Sequence, residues 1–140
     1  MSSESLGLLL SDISRLLRRK IQQHMEGSEL TFMQARVLGH ISRREGLRQV
    51  ELAELLEVQP IALVHLIDQL AESGLVERRP DPTDRRAYQL FLTEAATPHL
   101  AATKKIVAAI QADMLRGLDK EQSAQLMSSL RAVYNNLSAR

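Results

Sequence analysis

Apolar residues at helical spacing open the chain. Leu6, Leu9, Leu10, Ile13, Leu16, Leu17 and Ile21 predict a first helix over 5–25, and Gly27 is a plausible stop. Thr31 and Gln34 have the spacing of a capping box and start a second helix with Phe32, Ala35, Val37, Leu38 and Ile41 as its apolar positions. Arg43 and Arg44 suit its C-terminus, where Gly46 supplies a left-handed cap with Leu47 behind it. A short third helix runs over 49–56, carrying Val50, Leu52, Ala53, Leu55 and Leu56. Val58 and Gln59 make a tight turn, and Pro60 fits the first position of a fourth helix ending near Glu72 or Ser73.

The period then changes. Residues 75–79 read as a short strand and 87–92 as its return. Between them Pro80-Asp81-Pro82-Thr83-Asp84 is dense in turn formers. Two more helices follow. Pro98 predicts either a kink or a fresh start capped by Thr97, and Asp119 with Gln122 repeats the capping-box spacing ahead of the last helix. The fold class is mainly α with a small β-hairpin wing: a winged helix-turn-helix flanked by N- and C-terminal helices.

Composition narrows the picture. With 44% hydrophobic and 25% charged residues the chain is an ordinary globular protein, and 140 residues suggest one domain. No run approaches a membrane span, and the apolar start reads as a helix face and not a signal peptide, so the cytoplasm is the expected location. There is no Cys, which excludes disulfides, thiolate metal sites and thiol switches. A net charge of +1 says little about partners, but Arg78, Arg79, Arg85 and Arg86 crowd into one segment. A local basic patch on a near-neutral chain is the footprint of a nucleic-acid site; a solvated loop is the bland alternative.

A short helix, a tight turn, a second helix and a hairpin with a basic tip suit duplex DNA. The second helix lies in the major groove, and the wing reaches a minor groove whose electronegativity attracts Arg. A winged helix used only for protein contact is the competing reading. Catalysis finds no foothold: there is no Gly-rich phosphate loop and no nucleophile elbow. His24, His40, His65 and His99 are scattered without a compact helical pair, so neither a metal nor another cofactor is expected. The apolar stripes of the first and last two helices favour a homodimer, which suits palindromic DNA.

The stretch from Thr31 to Ala95 resembles the MarR (multiple antibiotic resistance regulator) family of bacterial transcription factors. The matching pieces are Leu30-Thr31-Phe32-Met33-Gln34, Leu52-Ala53, Leu66-Ile67-Asp68-Gln69-Leu70, and Gly74-Leu75-Val76-Glu77-Arg78. Most specific is Arg79-Pro80-Asp81-Pro82-Thr83-Asp84-Arg85-Arg86 followed by Leu92-Thr93. The resemblance implies a single MarR-type domain over 1–140, with 31–92 the DNA-binding part and 1–27 and 98–140 the dimerisation helices. It also implies a dimeric regulator, usually a repressor, released from DNA by a small, often aromatic acid; an activator or a regulator without ligand is the alternative.

Carried onto this chain, Ile61, Ala62 and His65 stand where many relatives place Ser or Thr and then Arg, which leaves the operator sequence open. Arg48 stands where relatives often place a small helix cap, so the third helix is expected to start loosely. The apolar pair suits thymine methyl groups. Arg86, and after it Arg85, would enter the minor groove, while Arg78, Arg79 and Thr31 would make phosphate or positioning contacts. Asp84 is expected to steer a wing guanidinium. Ile13, Leu17, Arg36 and His40 would line an effector cavity, Arg36 or His40 pairing with a carboxylate.

Overall fold

The computed structural model describes residues 5–139, so the outermost residues of the expected 1–27 and 98–140 segments lie outside it. Six helices and one hairpin follow in order: α1 (Leu6–His24), α2 (Phe32–Arg43), α3 (Gln49–Leu56), α4 (Pro60–Glu72), β1 (Val76–Pro80), β2 (Tyr88–Leu92), α5 (Thr97–Met114) and α6 (Lys120–Ser138). The architecture is a winged helix. Both predicted capping boxes form. The Thr31 hydroxyl accepts from the Gln34 N–H (3.1 Å) while the Gln34 side chain accepts from the Thr31 N–H (2.9 Å). Asp119 and Gln122 do the same at 2.8 and 3.0 Å.

Helix α3 begins differently from the expected loose start. Arginine carries no acceptor, so Arg48 cannot cap an N–H. Glu51 supplies the other half of a box, accepting from the Arg48 N–H at 3.1 Å. That bond first, and Arg44 after it, holds the Glu51 carboxyl below the ordinary glutamate range. The α3–α4 turn passes through Glu57 at φ 54°, a left-handed cap that costs a non-glycine residue about 1 kcal/mol. At Pro98 the fresh start wins over the kink. A 3₁₀ turn, Glu94–Ala96, comes first and buries Ala96 completely, and α5 begins at Thr97.

The core lies among α2, α3, α4 and the hairpin. Val37, Leu38, Ile41, Leu47, Leu52, Leu63, Ile67, Leu70 and Leu90 are fully buried. Nearly all are positions that the 3.6-residue and two-residue periods select. The strands pair antiparallel, Val76 opposite Leu92 through Pro80 opposite Tyr88. The α2–α3 connection adds to their edge: Gly46 N–H donates to the Leu90 carbonyl and Leu90 N–H to the Leu47 carbonyl, both at 2.9 Å. Gly46 sits at φ +89°, a left-handed conformation that side chains rarely adopt, so the turn onto this edge favours glycine.

The chain divides into two compact units, Met1–Val107 and Ala108–Arg140, with the boundary inside α5. Helix α1 in the first unit and α6 in the second each run 19 residues and bury none of them.

Candidate nucleic-acid interface

Helix α4 presents Ile61, Ala62 and His65 to solvent on the face opposite Leu63, Ile67 and Leu70. Ile61 is 69% exposed, which is unusual for a residue whose burial would stabilise the fold by about 2 kcal/mol. Two side-chain ties fix this helix. Gln34 donates to Gln69 at 3.1 Å, linking the start of α2 to α4. Arg78, from β1, donates to Gln49 Oε1 (3.0 Å) and to the Val64 carbonyl (3.3 Å), and pairs with Asp68 at 2.7 Å. Of the two roles expected for Arg78, the positioning one matches this geometry: its guanidinium is engaged inside the protein, joining the wing to both helices of the helix-turn-helix. Asp68 and Gln49 were missed by sequence reasoning; no local spacing connects them to a residue ten or more positions away.

The wing has two faces. Val76, Arg78, Leu90 and Leu92 point inward, and Glu77, Arg79, Gln89 and Phe91 point out, as a two-residue period requires. On the outer face the Arg79 guanidinium stacks 4.0 Å from the Phe91 ring centroid and lies 3.4 Å from Glu77. At the tip, Asp81 N–H donates to the Ala87 carbonyl and Ala87 N–H to the Asp84 carbonyl, both at 3.0 Å.

Asp84 does not meet the expectation of a guanidinium clamp. Its carboxylate accepts from the Arg86 backbone N–H at 3.0 Å, because an Asp two residues before an amide closes an Asx-type turn more readily than it reaches a long side chain. The wing carboxylate that holds a guanidinium is Asp81. It is 5% exposed and pairs with Arg48 Nε at 2.8 Å. The Thr83 hydroxyl and N–H, and after them Arg48, bring the Asp81 pKa down to about 2. Arg85 and Arg86 stay exposed, and among the described residues no carboxylate lies within ion-pair distance of either. Thr31 is exposed, with its hydroxyl oxygen occupied by the α2 cap.

Of the four expected effector residues the structure brings two together. Leu17 and Arg36 line an open groove of about 570 Å³ with Arg18, Ile21, Phe32 and Met33; Ile13 and His40 lie outside its lining. His40 is half-buried on α2, and its pKa is lowered by burial, then by Arg36 and Arg43. Among the described residues no three His, Asp or Glu side chains gather as metal ligands, and no helix is long and apolar enough to cross a membrane.

Residues 28–87, which span α2, α3, α4, β1 and the wing loop, match the sequence model of the MarR family. Over that stretch the chain is similar to the MarR family. Solved structures agree over nearly its whole length. A MarR transcriptional regulator from Methanosarcina mazei Go1 is 26% identical, with a TM-score of 0.84 over 94% of each chain. Wild-type apo MarR from E. coli is 25% identical, with a TM-score of 0.84 over 95% of this chain and 98% of that one. A mutant MarR from E. coli complexed with operator DNA is 26% identical, with a TM-score of 0.77 over 91% of this chain and 92% of that one. The chain is thus similar, in its winged-helix part and in its fold, to MarR transcriptional regulators.

Proposed function

We propose that the protein is a dimeric, sequence-specific DNA-binding repressor that a small amphipathic acid releases from its operator. The observation that carries the DNA reading is the wing tip: Arg85 and Arg86 project from a hydrogen-bonded loop with no carboxylate partner among the described residues, while α4 leaves Ile61, Ala62 and His65 exposed. Free guanidiniums on a pre-ordered hairpin suit a narrow minor groove, and a small apolar pair at the start of α4 suits the major groove. The operator complex of the E. coli relative supports the same reading. Dimerisation is supported by the uncovered apolar faces of α1 and α6. Release by an acid is supported by the groove, whose apolar Leu17, Ile21, Phe32 and Met33 lie beside the cationic Arg18 and Arg36.

The test is a salt titration of binding to the DNA upstream of the protein's own gene and to a random duplex of equal length. Specific binding is expected to exceed random binding by at least about 10³-fold, with a linear dependence on log salt. Equal affinity for both duplexes, or none, favours the alternative of a protein-interaction module. Aromatic acids are then expected to weaken that binding and raise the melting temperature.

A further inference from the structure

Arg48 occupies a position from which it serves the wing twice. Its backbone bridges Gln89 of β2, one pair away from the loop end of the hairpin. Its side chain reaches on into the adjoining loop. Nε donates to Asp81 Oδ2 at 2.8 Å, and a terminal nitrogen reaches the Thr83 hydroxyl at 3.3 Å. That hydroxyl donates in turn to Asp81 Oδ1 at 2.7 Å, and the Thr83 N–H to the same oxygen at 2.8 Å. Three side chains thus close a ring in which both Asp81 carboxylate oxygens and the Thr83 hydroxyl are engaged. Asp81 is the one buried charged residue among the described residues, and a carboxylate is tolerated there only while its partners stay in place.

The loop has little else to hold it. Pro82, Thr83, Asp84, Arg85 and Arg86 are all exposed, and the loop's other bonds run within residues 81–87. Among the described residues, only the Arg48 guanidinium ties this loop by side chain to the helical body.

We propose that Arg48 is a positioning residue that, through Asp81 and Thr83, holds the wing loop in one conformation and so sets where Arg85 and Arg86 are delivered. The consequence for DNA rests on the DNA-binding reading above; the consequence for the free protein does not. A fixed loop loses less entropy on binding and presents its guanidiniums at one distance from α4. Discrimination at the flanks of a site then depends on a side chain that is not itself asked to read a base.

The full-length protein is compared with Arg48→Ala, Arg48→Lys, Asp81→Asn and the double variant Arg48→Ala/Asp81→Asn. Without DNA, amide exchange at Thr83, Arg86 and Ala87 is expected to speed up about tenfold in each variant, with core amides of α2 and α4 unchanged. Lysine keeps the charge but has no fork to engage Asp81 and Thr83 together, so Arg48→Lys is expected to follow Arg48→Ala.

The DNA arm uses a duplex enriched from a random pool by the wild-type protein, and a scrambled duplex. Asp81→Asn removes a negative charge near DNA, so charge alone predicts tighter binding to both. Positioning predicts the opposite sign for selectivity: the ratio of enriched to scrambled affinity falls roughly fivefold or more, with the loss confined to the flanking base pairs. The double variant is expected to be no worse than the worse single one, because both act through one ring. Unchanged loop exchange, wild-type behaviour of Arg48→Lys, or tighter binding of Asp81→Asn at an unchanged ratio overturns the proposal. Should Asp81→Asn fail to fold, Arg48→Ala, at a side chain 39% exposed, still decides it by exchange. If the wild type enriches no sequence, the DNA reading fails and the exchange arm alone judges the hold on the loop.

Discussion

Arg85 and Arg86 are adjacent and both exposed, yet their backbones differ. The Arg86 N–H is bound by the Asp84 carboxylate at 3.0 Å, so its side chain leaves from a fixed point. Arg86→Ala is expected to weaken operator binding by roughly 1–3 kcal/mol per subunit and to relax the preference for A·T at the flanks. Equilibrium titration on operator duplexes with A·T or G·C flanks checks this; normal binding by the variant removes the wing from DNA recognition. His40 gives a second expectation at this scale. Burial, then Arg36 and Arg43, depress its folded-state pKa below 6.5. The unfolded chain therefore binds the proton more readily, so His40's contribution to stability is complete above pH 6.5 and is lost as pH falls from there through the folded pKa. Urea denaturation between pH 5 and 7.5 is expected to show a smaller pH slope in His40→Gln than in the wild type. The two acids of the wing tip show where sequence reading stops. Both Asp81 and Asp84 were recognisable as turn residues, but their division of labour depends on Arg48, which is 33 positions from Asp81.

Individual elements were legible because local rules set them. The bounds of α3 and the start of α4 at Pro60 coincide with the sequence expectation, since a proline at the first helical position and a short apolar repeat leave few alternatives. The 3₁₀ turn before α5 was not legible. It is held by tertiary contacts: the Thr93 N–H donates to the Leu75 carbonyl at 3.1 Å and its hydroxyl donates to the Gly74 carbonyl. The joints between elements were equally hidden, and Arg78 is the clearest of them. Its donors reach Gln49, Val64 and Asp68, so the wing, α3 and α4 meet at one guanidinium. Arg78→Ala is expected to destabilise the fold by about 1–2 kcal/mol, discounted from the value of a buried ion pair because Asp68 is half exposed. Urea midpoints measure that loss. The salt slope of DNA binding is expected to stay unchanged, since a guanidinium spent inside the protein releases no phosphate counterion. A slope reduced by about one would return Arg78 to the phosphate backbone.

For the whole molecule, the decisive quantity is apolar surface left uncovered. On α1, Leu6, Leu9, Ile13 and Leu16 are between 40% and 62% exposed, and α6 shows Leu126, Met127, Leu130, Tyr134 and Leu137 between 38% and 81%. Their spacing places each set along one side of its helix, which is the pattern of a face awaiting a partner and not of scattered surface residues. Both helices carry an N-terminal cap of their own, Ser5 on α1 and the Asp119–Gln122 box on α6. What remains unsatisfied is hydrophobic, and under the proposed dimeric reading a second copy of the chain would cover it and duplicate the winged unit for a palindromic site. The purified protein is expected to sediment as a dimer at micromolar concentration. Leu130→Asp puts a carboxylate into the middle of the α6 stripe, and in a symmetric interface it does so twice. Its dissociation constant is expected to rise by roughly 100-fold or more, with the winged unit still folded by circular dichroism. Operator affinity should fall with it, because one wing and one α4 then bind without the effective concentration that the second supplies. If Leu130→Asp stays dimeric, α6 is not at the interface and α1 must carry it; if the wild type itself sediments as a monomer, the dimeric reading is wrong.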